Sequence, residues 1–227
     1  MKSQIGRILN SVARPLGLQV IRHRPDGWRT LKEIGHIDTV IDIGVASGTP
    51  LLYEAFPDAR LILIDPCAET ALLTNECLRG RSTEFLNFAV GSLSGKISIN
   101  VDKGKLSRTS VLQRTALTER NTEFEERQVE METLDELLKN YNLGKALLKI
   151  DTEGYELEVL KGGVESLNRI KFVLAEVSVS SRFIGSYRFE ELINYMSNSG
   201  YQVRSILSAP KNNEGTIRYV DALFVRN

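Results

Sequence analysis

Thr39-Val40-Ile41-Asp42-Ile43-Gly44-Val45-Ala46-Ser47-Gly48 combines an apolar run with two closely spaced glycines. Val40, Ile41 and Ile43 have the near-continuous β-branched character of a strand covered on both faces, as in a parallel sheet. Gly44 and Gly48 remove side chains where the backbone must turn tightly and where a ligand's atoms must come close. Thr49-Pro50 suits a helix start, with Thr at the cap and Pro at the first helical position, where its missing N–H costs nothing. Strand, turn and helix together predict a small-molecule cradle at the carboxyl end of the strand.

Arg60-Leu61-Ile62-Leu63-Ile64-Asp65 reads as a second buried strand that ends in a carboxylate. Asp65 lies 23 residues beyond Asp42. That is close to the roughly 20 residues at which a carboxylate meets ribose hydroxyls in nucleotide-binding βαβ units.

The chain has 227 residues, of which 42% are hydrophobic and 26% charged, enough to bury a full α/β core. Lys+Arg and Asp+Glu both number 29, so no global field recruits nucleic acid or an anionic membrane. No apolar run has the length of a membrane span. Cys67 and Cys77 are too far apart on one helix to pair and too few for a zinc site, which predicts a reducing, cytoplasmic setting.

Residues 1–35 stand apart as an N-terminal amphipathic helical extension. Ile5, Ile8, Leu9, Val12 and Leu16 recur at helical spacing behind a Ser3 cap, among cationic residues without a single acid before Asp26. Three roles fit this pattern: a helix docked on the rest of the chain or on a second subunit of a homodimer, a membrane-surface helix, or a targeting segment.

Glu84 to Val90 reads as a third strand, and Lys96 to Val101 alternates as a half-exposed strand at the sheet edge or in a hairpin. Asp102 to Glu126 lacks apolar periodicity and reads as a long surface excursion, either a substrate lid or a mobile loop. Thr133 caps a helix from Leu134. Ala146 to Asp151 is a buried strand, followed by a turn with Glu153 and Gly154 and then a helix to Gly162-Gly163. Phe172 to Val177 is another buried strand, Phe189 to Ser199 a helix, and Tyr201 to Ile206 with Ile217 to Val225 a closing pair of strands. Such alternation implies a mostly parallel sheet with helices on both faces.

Asp42, Gly44 and Gly48 resemble the glycine motif of class I S-adenosylmethionine-dependent methyltransferases, which lacks the early paired glycines of nicotinamide dehydrogenases. Lys149-Ile150-Asp151-Thr152-Glu153-Gly154-Tyr155-Glu156 with Val159-Leu160-Lys161-Gly162 is similar to the hallmark block of one branch, the FkbM family. Thr133-Leu134-Asp135 resembles the helix start that precedes it. The resemblance spans about residues 38–225.

This resemblance implies a Rossmann-like α/β fold. Its seven-stranded, mostly parallel sheet has helices on both faces and a terminal antiparallel β-hairpin, in a domain over 36–227 with a long insertion at about 102–128. It also implies S-adenosyl-L-methionine as cofactor and methyl transfer to a hydroxyl of a saccharide or secondary metabolite. Asp42 and the turn through Gly44, Ala46 and Gly48 would face the methionine part, and Asp65 the ribose. The adenine would lie near Asn87 to Val90, which includes Ala89. A non-catalytic module that only binds the cofactor and a nicotinamide-dependent oxidoreductase are the rival readings; the glycine spacing argues against the second.

A hydroxyl acceptor must lose its proton. Asp151, Glu153 and Glu176 stand at or just beyond the carboxyl ends of neighbouring strands, where ligands collect in open α/β sheets. One can act as general base, or Asp151 and Glu176 can hold Mg²⁺, which takes oxygen ligands. Glu153 and Glu156 have a second reading as acids at the start of the following helix, favoured for Glu156. His23 and His36 precede the sheet. Lys149 is placed to pair with a carboxylate. Trp28 and Tyr155 fit substrate stacking or plain packing, and Arg108 and Arg114 fit an anionic substrate or a solvated loop.

Overall fold

Short runs of Ile, Leu and Val become the centre of a seven-stranded sheet. The computed structural model describes residues 26–75, 78, 80–102, 104–115 and 123–227. The helix expected behind Ser3, its role in a homodimer, His23 and Cys77 lie outside those residues. The main sheet comprises β1 (Thr39–Ile43), β2 (Arg60–Ile64), β3 (Thr83–Leu86), β7 (Ala146–Ile150), β8 (Ile170–Ser178), β9 (Tyr201–Ser208) and β10 (Tyr219–Arg226). Their order is β3-β2-β1-β7-β8-β10-β9. Neighbours from β3 to β8 are parallel, and β10 alone runs antiparallel to both of its neighbours. The terminal antiparallel hairpin is therefore present, with β10 inserted between β8 and β9.

Every residue of β1 and β7 is buried, because both faces of the sheet are covered. Alternate residues feed two separate cores. Ile41, Ile43, Leu148, Ile150 and Val173 point to one, under α3 (Leu134–Leu138), α4 (Glu156–Lys161), α5 (Val164–Arg169) and α6 (Phe189–Asn198). Val40, Leu61, Leu63, Leu147 and Leu174 point to the other. That face is covered by α1 (Pro50–Ala55) and a 3₁₀ helix over Asp26–Ile34, whose Leu31 and Ile34 are buried. The 3₁₀ helix crosses β9 closely enough that a Cβ on Gly27 would stand 2.1 Å from the Leu207 carbonyl oxygen. A further helix, α2 (Glu69–Asn75), follows β2. No helix among the described residues is long and apolar enough to cross a membrane.

Two expectations need correction. The run Glu84 to Val90 is not one strand: β3 ends at Leu86, where the Phe88 N–H bonds back to the Leu86 carbonyl at 3.1 Å. The chain then enters β4 (Ala89–Gly91), which belongs to a second, three-stranded sheet of order β4-β6-β5. Its other members are β5 (Gly95–Asp102) and β6 (Phe124–Thr133), an antiparallel pair in register from Gly95↔Met131 to Asp102↔Phe124. The pairing of β5 with β6 ends at Asp102↔Phe124, where the chain leaves the sheet.

The segment that leaves β5 is also not a surface excursion over its described part, 104–115. Asp102 is fully buried, accepts the N–H groups of Gly104 and Lys105, and pairs with Arg108 at 3.0 Å. Leu106 and Val111 pack on Ile99, Val101 and Cys67. Apolar periodicity does not show this, because Leu106 and Val111 reach the core from an irregular backbone without helical or strand spacing.

Candidate active site

The carboxyl ends of β1, β2 and β7 open on a cleft of about 150 Å³. Its walls are the Gly44–Thr49 turn, Asp65, the Phe88–Val90 segment, Leu106 and Ser110 from the folded-back loop, and Asp151 to Glu153. Gly44 is at φ +76°, and a Cβ there would stand 1.9 Å from the Asp151 carbonyl oxygen. The Gly44 N–H donates to the Ile64 carbonyl and the Asp151 N–H to the Ile43 carbonyl, both at 3.0 Å. Three strand ends converge there, and only glycine leaves them room.

Ala46 has φ +49°, unusual for a residue with a side chain. Its N–H donates to Asp65 Oδ2 at 3.0 Å, while the Cys67 N–H donates to Asp65 Oδ1 at 2.8 Å. Burial pushes the Asp65 carboxyl above its ordinary pKa against the pull of those two donors. Asp65, Gly44, Ala46, Gly48 and Ala89 all line the cleft, as their positions in the sequence suggest.

Asp42 and Asn87 do not line it. Asp42 is fully buried, because in β1 it alternates with Ile41 and Ile43 and points under α1. Tyr53 donates to its Oδ2 at 2.5 Å, Thr49 donates to the same oxygen at 3.0 Å, and Lys149 Nζ is 3.0 Å from Oδ1. Thr49 consequently gives α1 no side-chain cap, although Pro50 does open the helix. Burial opposes a charge on Lys149, but Asp42 and Asp151 outweigh it and hold the ammonium above its ordinary pKa. Asn87 turns away and donates to the Asp65 backbone carbonyl at 2.9 Å, beside a separate surface hollow with Glu69 and Arg127.

The turn after β7 is braced from within. Glu153 is at φ +53° and Gly154 at φ +100°, where a Cβ would meet the Phe183 ring at 2.6 Å. Glu156, 1% exposed, takes the N–H groups of Thr152 and Gly154 on Oε1 at 2.9 and 3.1 Å, and the Tyr187 hydroxyl on Oε2 at 2.7 Å. It opens α4 as an acid in its first turn, as expected, and from its buried position it also braces the preceding turn.

The three strand-end carboxylates separate into two kinds. Arg182, 3% exposed, bridges Glu153 at 2.6 Å and Glu176 at 2.5 Å, and Arg114 approaches Glu153 at 3.3 Å. Burial pushes Glu176 well above the ordinary carboxylate range, and the charge of Asp151 adds to this while Arg182 opposes it. Glu153 is raised by burial in the same way. Asp151 alone keeps a side chain 37% exposed, 3.5 Å from Lys149.

No group of three or more His, Cys, Asp or Glu among the described residues is arranged to hold a metal ion. The expectation of Mg²⁺ on Asp151 and Glu176 has no support, since guanidinium and ammonium groups already neutralise these carboxylates. Arg108 and Arg114 are both engaged inside the protein. His36 pairs with Asp38 at 3.0 Å beside the start of β1, at the opposite end from the cleft.

Tyr155 lines the main cleft, whereas Trp28 lines a second hollow that adjoins it across Gly48, Thr49, Lys149 and Asp151. Sequence reasoning passed over Tyr53, Tyr187 and Arg182. Tyr53 carried a signal, since Thr49 and Tyr53 are four apart and share a helical face; Arg182 carried none.

The strand order with β10 alone reversed, the glycine turn after β1 and the carboxylate after β2 define a class I methyltransferase of Rossmann-like fold. The chain belongs to the FkbM methyltransferase family, whose model, the methyltransferase FkbM domain, matches residues 42–203. Among solved structures, TehB from Haemophilus influenzae has a TM-score of 0.51 at 9% identity, over 92% of this chain and 64% of that one. Magnesium protoporphyrin IX methyltransferase (ChlM) from Synechocystis PCC 6803, with bound SAM, gives 0.46 at 9% identity over 100% and 97%. An rRNA methylase from Streptococcus thermophilus gives 0.48 at 11% identity over 91% and 99%. At these identities the likeness is one of fold. No curated protein matches the sequence.

Proposed function

We propose that the protein transfers a methyl group from S-adenosylmethionine to a hydroxyl of a saccharide or similar small molecule, with Asp151 as the proton acceptor. The observation that carries this reading is the strand-end cleft with Asp65 at its wall. A carboxylate has about four acceptor positions, and two N–H groups engage Asp65, so capacity remains for ribose hydroxyls. Phe88, Ala89 and Val90 offer an apolar wall to the adenine, and the glycine turn leaves room for the rest. Bound there, the cofactor supplies a sulfonium methyl group that the acceptor oxygen takes as the S–C bond breaks, leaving S-adenosylhomocysteine.

Most of the acceleration asked of this chain is positioning. Holding two reactants in attack geometry can supply on the order of 7–11 kcal/mol. Asp151 faces both hollows, so a hydroxyl bound to it lies at the mouth of the cofactor cleft, and its proton passes to the carboxylate as the new O–C bond forms. Glu153 and Glu176 act indirectly, with Arg182 fixing the turn that carries Asp151. A reducing, cytoplasmic setting belongs to the same proposal and rests on the spacing of Cys67 and Cys77 in the sequence.

Calorimetric titration of the purified protein with S-adenosylhomocysteine and with NAD⁺ tests the reading. The homocysteine compound should bind, NAD⁺ should not, and Asp65→Ala should weaken binding about tenfold or more, or about 1.4 kcal/mol. Absence of binding to the folded wild-type protein would sink it.

A further inference from the structure

The second hollow has a composition of its own. It is lined by Trp28 from the 3₁₀ helix, Leu51 from α1, and a row of carboxylates on the sheet end. Register places Asp221 of β10 opposite Glu176 of β8, and Ile150 of β7 opposite Ala175, so that Asp151, Glu176 and Asp221 follow one another across three strands. Like charges directly opposite each other destabilise a sheet, so this row opposes folding stability. Arg182 takes up Glu176, and the Ser208 hydroxyl donates to Asp221. The one cation in the lining is Lys149, which faces Asp42 and Asp151.

Such a surface offers hydrogen-bond acceptors and no cation left to receive an anion. The indole of Trp28 and the ring of Tyr219 add flat apolar area. Pyranosides present the complementary chemistry, with hydroxyl donors around their rim and C–H groups on their ring faces. The hollow is not an isolated cavity, because Asp151 and Lys149 belong to it and to the cofactor cleft alike. A ligand in one therefore meets a ligand in the other at Asp151.

We propose that this hollow is the acceptor site and that it selects neutral or aminated pyranosides, stacked on Trp28 and hydrogen-bonded to Asp221, while rejecting uronates and sugar phosphates. The proposal rests on the methyl-transfer reading above.

Trp28 is the single tryptophan of the chain, so its emission reports on this hollow alone. The full-length protein saturated with S-adenosylhomocysteine is titrated with a panel of methyl pyranosides, the matching amino sugars, the matching uronates and the sugar phosphates. At least one neutral or amino sugar should shift the emission saturably, and its uronate and phosphate counterparts should not. Asp221→Asn should weaken that sugar about tenfold, as loss of a charged acceptor does, with S-adenosylhomocysteine affinity unchanged. Calorimetry on Trp28→Phe gives the same comparison without the probe and should show weaker sugar binding. A protein that binds S-adenosylhomocysteine but no sugar, or binds uronates as well as neutral sugars, overturns the acceptor assignment alone. Failure to bind S-adenosylhomocysteine overturns the methyl-transfer reading beneath it.

Discussion

Lys149 Nζ sits 3.0 Å from Asp42 Oδ1, with both residues buried where β7 and β1 lie side by side. The sheet register puts the two residues directly opposite each other, and the same ammonium donates to the Gly44 carbonyl at 3.0 Å. One buried cation thus ties together the strand that carries the glycine turn and the strand that carries Asp151.

Removing one member of that pair should be far worse than removing both. Asp42→Asn leaves the buried ammonium with only the more distant, part-exposed Asp151 and should lower unfolding free energy by about 3–5 kcal/mol. Lys149→Met should do similar harm by stranding Asp42. The double variant should recover a substantial part of the summed loss in guanidinium unfolding, and strict additivity would show that the pair is not coupled.

Arg182→Met should destabilise the protein by about 3–5 kcal/mol near neutral pH, because Glu153 and Glu176 lose their shared buried partner. Burial already raises the folded-state pKa of Glu176 above its unfolded value, so its protonation favours the native state and that contribution is lost as pH rises through the folded pKa. Removing the guanidinium raises it further. The gap in stability between wild type and variant should therefore shrink as pH falls toward the ordinary glutamic value of 4.5. A gap that is flat with pH would show that packing of Arg182 on Tyr219 and Phe183, not charge, is what the variant loses.

Gly44→Ala and Gly215→Ala both place a side chain at positive φ, +76° and +83°. Gly215, in the β9–β10 turn, has nothing within 4 Å of the new Cβ, so its cost should be the backbone term alone, about 1–2 kcal/mol. At Gly44 the Cβ meets the Asp151 carbonyl, and overpacking adds about 1–3 kcal/mol or more. Thermal unfolding of the two variants side by side measures the difference, and equal losses would contradict the convergence of strand ends at Gly44.

Glu156→Gln keeps shape but weakens the acceptor that holds two turn N–H groups and the Tyr187 hydroxyl. The expected loss is about 1–3 kcal/mol of stability. Because the turn carries Asp151 on the wall of the cleft, S-adenosylhomocysteine affinity should fall as well. Unchanged affinity in calorimetry, with stability reduced, would confine Glu156 to a structural role.

Elements written in local pattern are legible from the chain alone. β1, its glycine turn, β2 and the terminal Asp65 were legible because burial on both faces writes continuous apolar runs, and a tight turn demands glycine. The block Lys149 to Glu156 placed Asp151 at a strand end for the same reason, and the Thr133 cap is observed through the Glu136 N–H. The role of each polar group there depends on the assembled fold. Asp42 faces a core and not the cleft, Glu156 braces a turn from inside, and Arg182 claims two of the three carboxylates. Each outcome depends on partners from different strands or loops, brought together by sheet order and register. The separation of β4 from β3 depends likewise on pairing with β6, some forty residues away. Local pattern reports which residues are buried; only the assembled sheet decides which buried charges meet.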